Sequence, residues 1–372
     1  MMSTIRFVHT DFLRLGTPLV GIASPPTWLL ELATSSVRHA VRNVIETAIT
    51  QQADFLFIAG SVCDSTEDLD SVVHWLSEQF VPLRHNRIQI AAVADDHRTA
   101  EALRGICDVV LNRSESLHVT KSRHGDVQLM TQLHHVDESN ALVISTGAHA
   151  VASQPGSERL SYRAVPAVQP SANCDRMSGQ RSLSLTAGAV QTTNNKETWN
   201  CGCIVVDADL NAQSMTSAFF VTNPVRFACE ALELSAQTTG DRLVSEITQA
   251  SKSLERTSGQ TVIVDWIVNA SLSGESHEVS GLQEDHLLGR LRNQLEAGHQ
   301  GVWPRRIQFR EASDLQLLTA GGAAVEEYFD VVTGSVTTHG VDNYDCSTSV
   351  LRGGHGVPDE LIVGLQLLRD AA

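Results

Sequence analysis

The chain has 372 residues, 42% of them hydrophobic and 19% charged, and a formal net charge of −16. That apolar share is enough for a sizeable core and excludes a disordered chain, and the length suits two domains or one large domain beside a smaller one. The acidic balance weighs against a free-standing nucleic-acid binder, which needs clustered Lys and Arg, but it leaves room for a local basic patch.

Seven cysteines are few for this length and odd in number. The opening Met1-Met2-Ser3-Thr4-Ile5-Arg6 lacks the charged region and long apolar stretch of a secretory signal. No run reaches the roughly 18–20 apolar residues of a membrane span. A soluble, reduced, cytoplasmic protein is expected. Cys201-Gly202-Cys203 invites a metal reading, but residues two apart in a strand share one face and no second Cys pair stands at zinc spacing.

The first half alternates strands and helices. Ile5–His9 reads as a short strand, and Ser35 or Ser36 as the cap of a helix with Val37, Val41, Val44, Ile45, Ala48 and Ile49 on one face. The apolar run Phe55–Gly60 reads as a strand buried on both faces. Ser65–Asp68 opens a helix with Val72, Val73, Leu76 and Phe80 inward, followed by a strand at Ile88–Val93 and a helix at Thr99–Ile106. From Leu117 the pattern shifts to strands: Leu117–Thr120, Val127–Leu133, Ala141–Ser145, Leu183–Thr186, Cys203–Val206 and Ala218–Val221. Ala150–Gln180, rich in Ser, Pro, Gly and Asn, reads as loops.

Asn223-Pro224 marks a boundary between residues 1–222 and 223–372. Beyond it the pattern predicts helices at Asp241–Glu255, Glu284–Ala297, Ala323–Val332 and Asp359–Arg369, strands at Thr261–Val268 and Trp303–Phe309, and a loop at Val341–His355. The alternation fits a smaller α+β or α/β domain.

Several chemistries are absent. The chain has no G-x-x-x-x-G-K-[ST] loop, no G-x-G-x-x-G after a strand, no G-x-S-x-G and no H-E-x-x-H. The adjacent His134-His135 would point to opposite faces of a strand and make a poor ligand pair.

The ends of the strands carry a family pattern. Ile5-Arg6-Phe7-Val8-His9-Thr10-Asp11-Phe12-Leu13-Arg14-Leu15-Gly16 resembles the opening of calcineurin-like metallophosphoesterases, more closely their DNA-repair exonuclease branch (SbcD-like and YhaO-like), which reads roughly I-R-F-x-H-T-A-D-x-H-L-G. Ala53–Asp64 is similar to that family's D-F-x-x-I-A-G-D-x-x-D, and Ile88–His97 sits where it has a strand ending in G-N-H-D. Tyr162–Gln169 falls at its Y-x-A-L-G-H-x-H, and Ala187–Gln191 with Gly202–Val206 at its P-G-S-x-Q and the strand after it. The resemblance runs from Ile5 to about Phe227. It implies an α/β, metallophosphoesterase-like sandwich of two sheets flanked by helices, with a smaller α+β C-terminal domain.

In that family the strand ends hold two divalent metals, usually manganese, which activate a water and neutralise charge building on a phosphate. The matching positions here carry other residues. Phe12 and Arg14 stand at the opening Asp and His, and Ser61 at the bridging Asp, with Asp64 at the supporting second Asp. Ala94-Asp95-Asp96 replaces Gly-Asn-His, with His97 one step later, and Thr146 replaces the lone His, with His149 nearby. Pro166-Ala167-Val168-Gln169 replaces the final G-H-x-H, so Ala167 and Gln169 stand at its histidines, and no His lies between His149 and His277. Arg14 is permanently charged and presents donors only, so it repels a metal. Either it stands in for a cation and holds an anion such as a phosphate, or, the favoured expectation, it pairs with Asp11, Asp64, Asp95 or Asp96; Phe12 is expected to fill the vacated space.

Two readings follow. In the first, the chain is an inactive relative that binds or scaffolds, needs no cofactor, and works with a coiled-coil ATPase (SbcC-like or YhaN-like) as the resemblance implies. In the second, it is an active metal-dependent exonuclease or phosphodiesterase using manganese or magnesium at a rearranged site of Asp64, Asp95, Asp96, His97 and His149. A third is an unrelated α/β protein. Arg292, Arg305, Arg306 and Arg310 form a local basic stripe or else stand as separate solvated arginines.

Overall fold

Phe55–Ile58 (β2) is buried along its whole length, as a strand covered on both faces must be. It pairs in parallel with β1 (Thr4–Thr10) and β3 (Gln89–Ala94), and β4 (Val109–Asn112) continues the parallel set. Antiparallel β10 (Gly202–Asp209) and β11 (Ser214–Val221) extend the other side of β1, giving the order β11-β10-β1-β2-β3-β4. A second sheet has the order β5-β6-β7-β8-β9, from β5 (Leu117–Lys121), β6 (Asp126–Met130), β7 (Leu142–Thr146), β8 (Leu160–Ala164) and β9 (Ser182–Leu185). β6 to β9 are mutually parallel, and β5 is antiparallel to β6. The structure is a computed structural model that describes residues 4–22, 24–63, 69–112, 117–122, 125–131, 142–146, 160–171, 179–234, 240–270, 284–296 and 301–311.

Strand alternation sorts the first sheet into two faces. Val8, Leu56, Ile58, Ile90 and Ala92 pack against helices α1 (Thr27–Thr50), α2 (Leu69–Gln79), α3 (Val81–His85) and α4 (His97–Arg104). Ile5, Phe7, Phe55, Phe57 and Val93 face the second sheet, where they meet Leu129, Ile144, Tyr162 and Leu183. Phe7 stacks on Phe55 with ring centres 5.0 Å apart and meets Tyr162 edge-on at the same distance, so three aromatics tie the sheets together.

The chain divides into two compact units, Met1–Arg226 and Phe227–Ala372. The second contains a sheet of order β12-β13-β14, built from β12 (Val225–Leu234), β13 (Thr261–Ala270) and β14 (Val302–Glu311), with β13 and β14 parallel. Helices α5 (Gly240–Ser258) and α6 (Glu284–Glu296) bury Leu243, Ile247, Leu287 and Leu291 against Val262, Val264 and Trp266.

Several sequence expectations need correction. Helix α1 starts at Thr27 after Pro26, with no side-chain cap. Ser35 and Ser36 lie inside it, their hydroxyls donating to the carbonyls of Glu31 and Ala33. The stretch read as loops contains β8, while β4 and β12 were not anticipated. Arg292 lies over the Trp303 ring and donates to the Pro304 and Arg305 carbonyls, and Arg305 pairs with Asp265, so these two are neither a free stripe nor solvated. Asp64–Asp68, Val341–His355 and the expected helices at Ala323–Val332 and Asp359–Arg369 lie outside the described residues. Among the described residues no helix is long and apolar enough to cross a membrane.

Candidate functional site

The chain ends of the parallel strands stay laced together beyond the sheet. Gly60 N donates to Asp11 O at 3.0 Å, Leu13 N to Ser61 O at 3.0 Å and Leu15 N to Val62 O at 3.2 Å. On the other flank, Val190 N donates to Phe12 O at 3.0 Å and Ala189 N to Val168 O at 2.9 Å. These bonds bring Phe12, Ser61 and the Ala167–Gln169 stretch to one end of the sandwich. Two glycines make the approach possible. A Cβ on Gly60 would stand 2.8 Å from Asp11 O, and one on Gly188, whose φ is +79°, would stand 2.7 Å from Pro170 N.

Beneath this end lies a buried polar relay that the sequence reading did not nominate. His9, Asp11 and Tyr162 are fully enclosed. His9 Nε2 is 2.7 Å from Asp11 Oδ1, and His9 Nδ1 is 2.7 Å from the Tyr162 hydroxyl. Asp11 Oδ2 accepts from Gly188 N at 2.9 Å. One neutral tautomer satisfies every group: Nε2–H donates to Asp11 and the Tyr162 hydroxyl donates to Nδ1. A carboxylate without such donors would be too costly to bury. The signal was present in the alternation: Ile5, Phe7, His9 and Asp11 share the inward face of β1 and its extension, so the row turns polar at its end.

Arg14 adopts a left-handed backbone, φ +52°, and sends its guanidinium to Glu197. Its Nη1 and Nη2 donate to the two Glu197 oxygens at 2.7 and 3.0 Å, and Nη1 also donates to Thr193 Oγ1 at 2.9 Å. Glu197 further accepts from Thr193 N at 2.8 Å and Asn194 Nδ2 at 3.0 Å. Of the expected partners, Asp64 lies outside the described residues, and in place of Asp11, Asp95 or Asp96 the structure shows Glu197, a residue 183 positions away in sequence. Burial, reinforced by the Glu197 charge, pushes the neighbouring Cys201 thiol up, and burial pushes Cys203 up to about 12. Both are fully buried, and Cys203 packs within the apolar core beneath the helices rather than lining an open site.

The remaining nominated residues occupy separate roles. Phe12 is half-buried with its ring against Gly60, so it covers the strand end rather than filling a closed cavity. Ser61 Oγ donates to Cys63 O at 2.7 Å. Asp95 is exposed, and Asp96 caps α4, accepting from Thr99 N and Oγ1 at 2.8 Å each. Those bonds hold the Asp96 carboxyl below its usual range. His97 faces solvent, with Nδ1 3.7 Å from Glu101. Thr146 is buried at the end of β7, Ala167 and Gln169 are exposed, and Asp64 and His149 lie outside the described residues.

Among the described residues, this donor set does not fit a divalent metal pair. Phe12 and Ala167 offer no ligand atom, Arg14 carries a positive charge, and the Asp11 oxygens are both engaged below the surface. Among the described residues no group of three or more His, Cys, Asp or Glu side chains is placed to hold a metal ion.

Over 97 residues the chain is 27% identical to the uncharacterized metallophosphoesterase YhaO of Bacillus subtilis (strain 168). The chain is similar to a metallophosphoesterase. The match covers 26% of this chain and only 24% of that relative's length. The metallophosphoesterase resemblance thus has a counterpart in a curated protein over about a quarter of the chain, and the α/β architecture is of the kind the resemblance implied. No family model matches the chain. A solved structure, TT1561 of Thermus thermophilus, aligns at a TM-score of 0.32 and 10% identity over 58% of this chain and 99% of its own, a TM-score that does not define a shared fold.

Proposed function

We propose that this chain is a metallophosphoesterase-like protein of the DNA-repair exonuclease branch that has given up two-metal hydrolysis and acts as a binding or scaffolding subunit. The observation that carries the reading is the Arg14–Glu197 pair. It puts a permanent cation where the resemblance calls for a metal-binding His, and it satisfies that cation with a carboxylate. Phe12 over Gly60 and the helix-capping Asp96 support the same reading, because neither is free to ligate. The partner the resemblance implies is a coiled-coil ATPase, SbcC-like or YhaN-like. The net charge of −16 favours a protein partner over DNA.

The test combines calorimetric titration with manganese and magnesium chloride and hydrolysis of bis(p-nitrophenyl) phosphate and duplex DNA. The expected outcome is no stoichiometric metal binding and no turnover above buffer. Binding of two manganese ions with turnover would overturn the proposal. Turnover abolished by Asp96→Ala with His97→Ala would establish a rearranged active site instead.

A further inference from the structure

The outer face of α1 carries a feature that the strand-end site does not use. Leu30, Thr34, Arg38 and Arg42 follow one another at four-residue spacing and are all exposed, Leu30 by 54%. Residues so spaced form one row along a helix, each about 6 Å from the next. Arg38 and Arg42 are like charges one turn apart, an arrangement that by itself disfavours the helix. Both guanidiniums lie over the ring of Trp75 on α2, 5.5 and 5.7 Å from its centre. Arg42 Nε also donates to Gln79 Oε1 at 3.2 Å.

Several other arginines already have a carboxylate. Arg6, Arg14, Arg242, Arg290 and Arg305 each have a carboxylate partner. Among the described residues, Arg38 and Arg42 have no carboxylate within ion-pair distance, although acidic residues outnumber basic ones by 43 to 27. A guanidinium held over an aromatic ring can still offer N–H donors to a carboxylate, here the Arg38 fork and the Nη groups of Arg42, whose Nε is taken by Gln79. Trp75 therefore holds two forks in place, at low entropic cost for whatever they bind.

We propose that this face, Arg38 and Arg42 over Trp75 with Leu30 along the same row, is a docking surface for an acidic segment of a partner protein. Charge complementarity selects the occupant. Two carboxylates one helical turn apart match the two guanidiniums, and an apolar side chain about 12 Å away along the helix covers Leu30. Nucleic acid fits less well. Two arginines give too small a phosphate footprint, the net charge of −16 repels a polyanion, and Leu30 has no counterpart on a phosphate backbone. The proposal stands apart from the reading of the strand-end site, since an active phosphodiesterase would carry the same surface.

The test uses the full chain and a fluorescein-labelled helical 18-residue peptide with Glu at two positions four apart and Leu eight residues before the first of them. Fluorescence anisotropy is expected to show saturable binding that weakens with added salt. Arg38→Glu with Arg42→Glu should weaken it at least tenfold while circular dichroism and the melting temperature stay unchanged. Arg98→Glu, an exposed change on α4, should leave binding unaltered. Absence of saturable binding, or binding indifferent to the double reversal, would overturn the proposal. So would tighter binding of a single-stranded oligonucleotide, or a dimer of this chain that the double reversal dissociates.

Discussion

Arg14 and Glu197 meet through two N–H···O bonds of 2.7 and 3.0 Å, with the arginine side chain 17% and the glutamate side chain 9% exposed. The pair joins the segment after β1 to the segment before β10. Breaking it from one side leaves a nearly buried charge facing a half-satisfied partner. Arg14→Met and Glu197→Met are each expected to cost about 2–4 kcal/mol, and the double substitution clearly less than their sum. Urea unfolding of the four proteins of this cycle measures the coupling. Strict additivity would mean that the pair contributes no net interaction.

What could be read ahead of the structure followed from local rules. Phe55–Ile58 announced a doubly covered strand because four apolar residues in a row leave no wet face. β8 escaped because Leu160–Ala164 is only five residues long and sits among Ser, Pro and Gly. The start of α1 escaped because it lacks the side-chain cap that marks most helix beginnings, while mid-helix Ser35 and Ser36 imitate one. Arg14 was legible as a residue hostile to metal, but its partner was not, since only the folded chain brings Glu197 to it. His9 and Asp11 were within reach of the period-two rule, whereas Tyr162 completes the relay from the opposite sheet.

Tyr162 tests that relay. Tyr162→Phe keeps the ring that meets Phe7 edge-on and removes the hydroxyl 2.7 Å from His9 Nδ1. The imidazole nitrogen is then left buried and unsatisfied, which costs about 1–3 kcal/mol. Denaturant unfolding should register this loss with an unchanged slope and an unchanged far-ultraviolet spectrum. A substitution without effect would mean that water takes the place of the hydroxyl.

Asp96 gives a dependence on pH. Its carboxyl is held below the usual value near 3.8 by Thr99 N, then Thr99 Oγ1, so the folded form binds a proton less readily than the unfolded form. The stability it contributes is complete above about pH 4 and is lost as pH falls through its lowered folded-state value. Asp96→Ala is expected to cost about 1 kcal/mol at pH 7, as loss of a helix cap does. The difference between the two proteins should shrink in acid, because a protonated Asp96 no longer accepts as a carboxylate. Asp96→Asn should retain most of the stability and show a weaker acid dependence.

Gly188 and Gly259 separate conformational strain from steric collision. Both have positive φ, +79° and +61°. A Cβ at Gly259 would meet nothing within 4 Å, so Gly259→Ala should cost only the left-handed backbone penalty, about 1 kcal/mol. A Cβ at Gly188 would meet Pro170 N at 2.7 Å and Val168 O at 3.1 Å, with little freedom for either to give. Gly188→Ala must also move the N–H that donates to Asp11 Oδ2, which disturbs the buried relay. Its cost is expected to exceed that of Gly259→Ala by about 2 kcal/mol or more. Because both changes act on Asp11, Gly188→Ala and Asp11→Asn should combine less than additively in urea unfolding, and full additivity would show that the Gly188 amide does not hold that carboxylate.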